Sequence, residues 1–231
     1  FNPAMAGYVV ILVTFPADLN LWVAPRMGDI DYQQLTLIQT LAFTLTGNLP
    51  EGISFDALSR ATPLDIMKTG LNNLATVSEI RINPVMGDFG GRGWEWIGNF
   101  LAIGGIWLMI RKIVRWQIPL GVVLGLLVPA TIMYLVGPGT NPSPGFHLFA
   151  GATILCAFFI ATDPVSAATS TRGRLIYGLG IGFLTWCIRR WGSYADGVAF
   201  AVLIMNMAVP AIDYLTRPAI VGHRQGDKTS G

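Results

Sequence analysis

The sequence predicts an all-α polytopic membrane protein with about six transmembrane helices and one long polar segment after the first. Two observations carry this reading. Hydrophobic residues make up 52% of the chain and charged residues only 12%, whereas a soluble domain carries about 25% charged residues. Mean hydropathy is +0.55. The apolar residues also gather into runs near the roughly 17 to 25 residues that a helix needs to cross hydrocarbon, the shorter ones relying on tilt or polar flanks. These runs are Met5 to Trp22, Trp96 to Ile110, Ile118 to Val136, His147 to Thr162, Leu175 to Ile188 and Ala195 to Ile212.

Taken in order, the first run is interrupted near its end by Phe15-Pro16-Ala17-Asp18. A helix broken there suits a cavity wall better than a lipid-facing surface. The segment from Val23 to Gly93 (residues 23–93) is too long for a simple connection, and long segments of this kind are usually functional. Within it, Tyr32 to Leu45 and Pro63 to Leu74 carry apolar residues at helical spacing, which predicts short amphipathic helices against the membrane surface. In the later spans, Gly121 with Gly125 and Gly178 with Gly182 fit small-residue packing between helices. Trp94, Trp96, Trp116, Tyr134, Trp186, Trp191 and Tyr194 fall at or near predicted span ends, as an aromatic belt would. The chain begins at Phe1 with neither Met nor a basic leader region, so residues 1–231 read as a single membrane domain that starts inside a longer protein or follows processing.

Orientation follows from Lys and Arg in the short loops. One face holds eight: Arg111, Lys112, Arg115, Arg172, Arg174, Arg217, Arg224 and Lys228. The other holds two, Arg189 and Arg190. The positive-inside rule therefore places the C-terminal tail in the cytoplasm and residues 23–93 outside it.

Within that outer segment stands Asp56-Ala57-Leu58-Ser59-Arg60-Ala61-Thr62-Pro63. Asp, then Ser three residues on, then x-Ala-Thr, is the pattern recognised by the transferase that moves the flavin mononucleotide half of FAD onto a threonine hydroxyl. Small neighbours (Ser59, Ala61) leave the hydroxyl accessible, and Pro63 biases Thr62 toward an extended conformation. The bland alternative is ordinary loop chemistry, since Ser, Thr, Asp and Pro crowd together in turns and helix caps. The fixed offsets arise by chance on the order of 1% of the time in a chain of this length, and the outside location sharpens the reading. A second Gly-Ala-Thr, ending at Thr153, lacks the Asp and Ser and opens an apolar span, where small residues serve helix packing.

The chain resembles the RnfD/NqrB family of flavin-bearing membrane subunits, closer to its RnfD branch. The resemblance runs through Phe1-Asn2-Pro3-Ala4-Met5, Ser59 to Asp65, Ala157 to Val165, Arg172-Gly173-Arg174-Leu175, Asp196 to Val202 and Asp213 to Pro218. It implies a subunit of an Rnf-type ion-translocating complex (ferredoxin/NAD) in the bacterial inner membrane, relaying electrons through FMN phosphoester-linked to Thr62, with Asp56, Ser59, Arg60 and Ala61 completing the attachment motif. It also implies further membrane and peripheral subunits and a flavin transferase as partners, and further N-terminal helices. Arg60 departs from the Gly often found at its place, although a guanidinium beside a phosphodiester is electrostatically reasonable.

Asp163-Pro164 follows an apolar span, and with Thr162, Ser166, Thr169 and Ser170 it offers a polar pocket for a second, noncovalent flavin such as riboflavin, or for a coupling ion. Asp196 and Asp213 border the last span, where hydration and capping are the expected roles. Cys156 and Cys187 sit on different spans with no ligand cluster near them, and His147 and His223 stand alone, so neither iron–sulfur nor other metal ligation is expected. No phosphate-binding loop or catalytic triad appears, so NAD chemistry is assigned to partners, and nucleic acid is not an expected partner. The alternative function class is a transporter or channel without a redox cofactor, whose broken first helix and acidic residues line a solute path.

Overall fold

Asn2 begins the first helix by capping it: its side-chain oxygen accepts from the N–H groups of Ala4 at 3.0 Å and Met5 at 3.1 Å. The computed structural model describes residues 1–19, 22, 23, 25 and 35–216. Helix α1 (Pro3–Thr14) gives way at Phe15, ahead of Pro16, and a single turn, α2 (Pro16–Leu19), follows. The break expected at Phe15-Pro16 is thus present, and the first apolar run is two helices instead of one. A two-residue strand, β1 (Trp22–Val23), comes next and pairs antiparallel with β2 (Ser59–Arg60), Trp22 opposite Arg60 and Val23 opposite Ser59. This small ladder departs from a purely α fold.

The polar segment folds on itself. It contains α3 (Leu37–Thr46), α4 (Phe55–Leu58), α5 (Pro63–Asn72) and α6 (Val77–Ile80). The first residues of the expected Tyr32 to Leu45 helix lie outside the described residues; α3 supplies the remainder, opened by a capping box between Thr36 and Gln39 and closed by Gly47 at φ 72°. The second expected helix is α5. Leu64, Met67, Val77, Ile80 and Met86 bury together with Phe146 and Ala150, which gives this segment its own apolar core and seats it on the membrane-type helices. Lys68 adds a polar fastening, donating to the carbonyls of Ile188 at 3.3 Å and Tyr194 at 2.6 Å. Burial lowers its ammonium pKa below the usual value, and the nearby Asp65 carboxylate opposes the shift.

The remaining helices are α7 (Trp94–Ile110), α8 (Gln117–Val136), α9 (Pro144–Phe149), α10 (Thr153–Leu155), which runs on into a π-helical turn (Cys156–Ile160), α11 (Thr171–Trp191) and α12 (Val198–Thr216). Among the described residues, α8 and α12 are long and apolar enough to cross a membrane, and α1, α3 and α7 are shorter apolar helices. Their outer faces are apolar. Leu120, Leu124, Val128, Ile132 and Leu135 follow one stripe of α8, and Ile103, Ile106, Trp107 and Ile110 lie on α7, all exposed. Side chains of this kind at such spacing suit hydrocarbon on the outside.

The inside is held by small residues. Gly121 and Gly125 of α8 face Gly178 and Gly182 of α11 so closely that a side-chain carbon at Gly178 would sit 2.6 Å from the Ile118 carbonyl oxygen. The small-residue packing expected from the sequence is realised between these two helices. Around the crossing, Val122, Cys156, Ala157, Ala161, Tyr177, Ile181, Ala201 and Val202 form the main core. The Tyr177 hydroxyl lies 2.8 Å from the Asn206 side chain, which in its satisfied orientation also accepts from the Asn2 N–H at 2.9 Å, tying the start of α1 to α12.

Three expectations require correction. The span His147 to Thr162 is not one helix: α9 ends at Phe149, Gly151 takes φ 68°, and α10 restarts at Thr153. Arg189 is not a loop residue; it lies in the last turn of α11, buried. Trp186 is likewise buried, edge-on to Trp191 at 5.1 Å, so it packs instead of joining a belt. Arg217, Arg224, Lys228 and His223 lie outside the described residues.

Candidate functional site

Thr62 occupies a defined place in this architecture. It is the N-cap of α5, with extended backbone (φ −68°, ψ 156°) as Pro63 dictates, and its hydroxyl oxygen accepts from the Asp65 N–H at 3.3 Å. The side chain is half-buried. On one side Ser59 and Arg60 are fixed by the β1–β2 pairing, and on the other the ten residues of α5 point their N-terminus at the hydroxyl. Of the motif, Ser59 is half-buried, Arg60 and Ala61 are exposed, and Asp56 falls in α4 with its side chain outside the described part of the structure.

Thr62 opens on a cavity of about 420 Å³, a size within the ordinary range for small-molecule sites. Its walls come from α1, the start of α5, α7, the α9–α10 break and the start of α12. Aromatic side chains dominate: Tyr8, Trp22, Trp94, Phe149 and Tyr194, with Trp22 and Trp94 meeting edge to face at 6.0 Å. Flat, mostly apolar walls with few polar groups favour a planar conjugated guest.

The floor is the helix break. A helix interrupted among apolar neighbours leaves carbonyl and N–H groups unpaired, and these need partners. Arg189 and Asp196 supply them. The Arg189 guanidinium donates to the carbonyls of His147 at 2.6 Å and Ala150 at 3.2 Å and to Asp196 at 3.0 Å. Asp196 in turn accepts from the Ala152 N–H at 2.7 Å. Asp196 is therefore not the hydrated end residue expected of it; it is ion-paired and faces the cavity. Gly151 is required where it stands, because a side-chain carbon there would run into Leu64, Asp196 and Arg189.

Asp163 stands apart. It accepts from the Ser166 hydroxyl at 2.7 Å and the Val165 N–H at 3.3 Å, closing a local turn, and it does not line the cavity. The Thr162 hydroxyl donates to the Phe158 carbonyl, and Ser170 caps α11 while pairing with Thr216. The polar side chains grouped around Asp163 by sequence are thus largely engaged elsewhere. Asp213 accepts from the Thr169 N–H at 2.9 Å, the capping role expected of it. Thr153 is buried and donates to the His147 carbonyl at 2.9 Å, a packing role. Among the described residues, no group of three or more His, Cys, Asp or Glu side chains is arranged to hold a metal ion.

Sequence reasoning missed the aromatic walls and the Arg189–Asp196 clamp. Arg189-Arg190 ahead of Asp196, within a strongly apolar stretch, was the available signal.

A fold of helices with apolar outer faces, enclosing an aromatic cavity with a threonine at its mouth, is the class of protein these features define. Residues 1–222 match the model of the NQR2, RnfD, RnfE family, and the chain belongs to that family. It is 47% identical over 97% of its length to the RnfD component of the ion-translocating oxidoreductase complex of Aeromonas salmonicida (strain A449), covering 66% of that relative. The same component in Salmonella arizonae and Vibrio cholerae is 45% identical over 98% and 96% of the chain, and again 66% of each relative is covered. The chain thus spans just under two thirds of the length of these relatives.

Proposed function

We propose that this chain is the flavin-bearing membrane part of an Rnf-type ion-translocating electron-transfer complex, with FMN joined through its phosphate to Thr62 and the flavin ring received by the adjoining cavity. One observation carries the reading: the motif threonine, found by sequence alone, lies at the mouth of the aromatic cavity. The residues present fit the group. A phosphodiester at the Thr62 oxygen sits at the N-terminus of α5, where the Leu64 and Asp65 N–H groups and the helix dipole favour negative charge. Arg60 adds a cation nearby, and Asp65 works against it. Tyr8, Trp22, Trp94, Phe149 and Tyr194 give the ring flat apolar walls.

When bound, the flavin supplies electron transfer, and the chain's residues position it and tune its surroundings. NAD chemistry and ion translocation involve other membrane and peripheral subunits, and attachment requires a flavin transferase. The names of the relatives support a role of this kind within a complex.

The test is in-gel flavin fluorescence of the native protein under denaturing conditions, which retains only covalently bound flavin. A fluorescent band is expected; a colourless, non-fluorescent protein would favour a transporter without a redox cofactor.

The same reading places residues 23–93 outside a bacterial inner membrane and the tail in the cytoplasm, facing the bilayer with the apolar surfaces of α7, α8 and α12. A cysteine introduced beside Ser54, which is exposed, should react with an impermeant thiol reagent on intact spheroplasts, while one beside Gly226 should stay unlabelled until the membrane is opened. The reverse pattern inverts the orientation.

A further inference from the structure

The charge lining the cavity is one-sided. Among the described residues that line it, the charged ones are Asp65 and Asp196, both acids, and no Lys or Arg is among them. Asp65 sits in the first turn of α5, three residues from the attachment threonine. Asp196 sits across the cavity at the helix break, with one carboxylate oxygen on the Ala152 N–H and the other on Arg189. Arg189 is buried and spreads its charge over the His147 and Ala150 carbonyls as well as Asp196, so it answers the carboxylate from behind the wall. Asp196 keeps 29% of its side chain accessible, whereas Arg189 keeps 2%.

A flavin gains negative charge when it accepts an electron that no proton follows, and a fixed carboxylate beside it opposes that gain. The wall around it is mostly apolar, which weakens screening.

Resting on the flavin reading above, we propose that Asp196, clamped by Arg189 and the Ala152 N–H, is a positioning residue whose carboxylate, together with Asp65, holds the Thr62-linked flavin at a low reduction potential. Arg189 fixes the carboxylate and closes the broken helix; Asp196 delivers the charge. Electrons reach the flavin from a redox centre of a neighbouring subunit, which is oxidised as the flavin is reduced.

The experiment is a redox titration of the full-length protein in lipid nanodiscs, with dithionite as reductant and ferricyanide as oxidant, followed by flavin absorbance. In-gel fluorescence run first on every sample tests the attachment itself, so an absent band rejects the flavin reading and a present band leaves the potential to judge this proposal. Asp196→Asn keeps the shape and an acceptor for Ala152 but removes the charge. It is expected to favour the reduced flavin about tenfold at a given potential. Asp196→Ser, which also keeps an acceptor, gives the same reading where the Asn variant does not fold. Asp65→Asn should shift the titration the same way, and Arg189→Lys should leave it near the native position while lowering thermal stability. An unchanged or lowered potential in the neutral Asp196 variants, with the flavin attached, would overturn the proposal.

Discussion

Thr62→Val is expected to remove all covalent flavin fluorescence from the protein, while Thr153→Val leaves it intact. The Thr62 hydroxyl is half-buried at the mouth of the cavity with its proton side unused by the cap, whereas that of Thr153 is buried and committed to the His147 carbonyl. Valine also takes away the N-cap of α5, a loss of about 1 kcal/mol, so a second substitution separates chemistry from folding. Asparagine caps helices as well as threonine does but carries no hydroxyl to esterify. Thr62→Asn should therefore fold like the native chain and lack flavin. In the assembled complex both variants should lose electron transfer to the physiological acceptor, while NADH oxidation with artificial acceptors continues on the partner subunit. Normal physiological turnover in a variant shown to lack the flavin would place that group off the electron path, and retained fluorescence would remove Thr62 as the attachment point.

The second large effect belongs to the α8–α11 crossing. Gly182→Leu inserts a side chain where a carbon would strike the Val122 carbonyl and lie 2.8 Å from the Leu126 nitrogen. Those are backbone atoms of a facing helix, which cannot rotate away as a flexible side chain could. A loss of about 3 kcal/mol or more is expected, at the upper end of overpacking costs. It would be read as a fall in Tm and as aggregation on size-exclusion chromatography in detergent. Gly7→Ala is the control, since nothing lies within 4 Å of its added carbon; helix propensity makes it neutral or stabilising by up to about 1 kcal/mol. Equal Tm values for Gly182→Leu and the native protein would contradict the close approach of the two helices.

What the residues reveal on their own follows the range of the interactions that decide them. The stop at Phe15-Pro16 was legible because proline acts on its immediate neighbours. The α5 start was legible for the same reason: Thr62 and Pro63 together make a cap and a first turn. The break at Gly151 was not, because His147 to Thr162 is apolar throughout and glycine is common in membrane helices. That break is held open by Arg189 and Asp196, about forty residues further along the chain. The pairing of Trp22 and Val23 with Arg60 and Ser59 was hidden too, since two residues carry no strand periodicity. Asp196 was misread because a carboxylate near a span end is usually hydrated, and only the fold brings Arg189 to it. The attachment motif needed no such context; the aromatic walls around it did.

The cavity walls come from stretches spread from Met5 to Ala199. Thr62 leaves the ribosome well before Asp196 is made, so the nascent chain carries an attachment point long before it has a chamber. A transferase that meets the emerging segment finds a bare extended peptide; one that arrives after synthesis finds a hydroxyl already leaning into a walled recess. The chamber itself is a late product of assembly, completed only when the final hairpin swings its acid against the interrupted helix. A polypeptide cut short before residue 196 would therefore hold the motif whole and have no floor on which to rest what the motif carries.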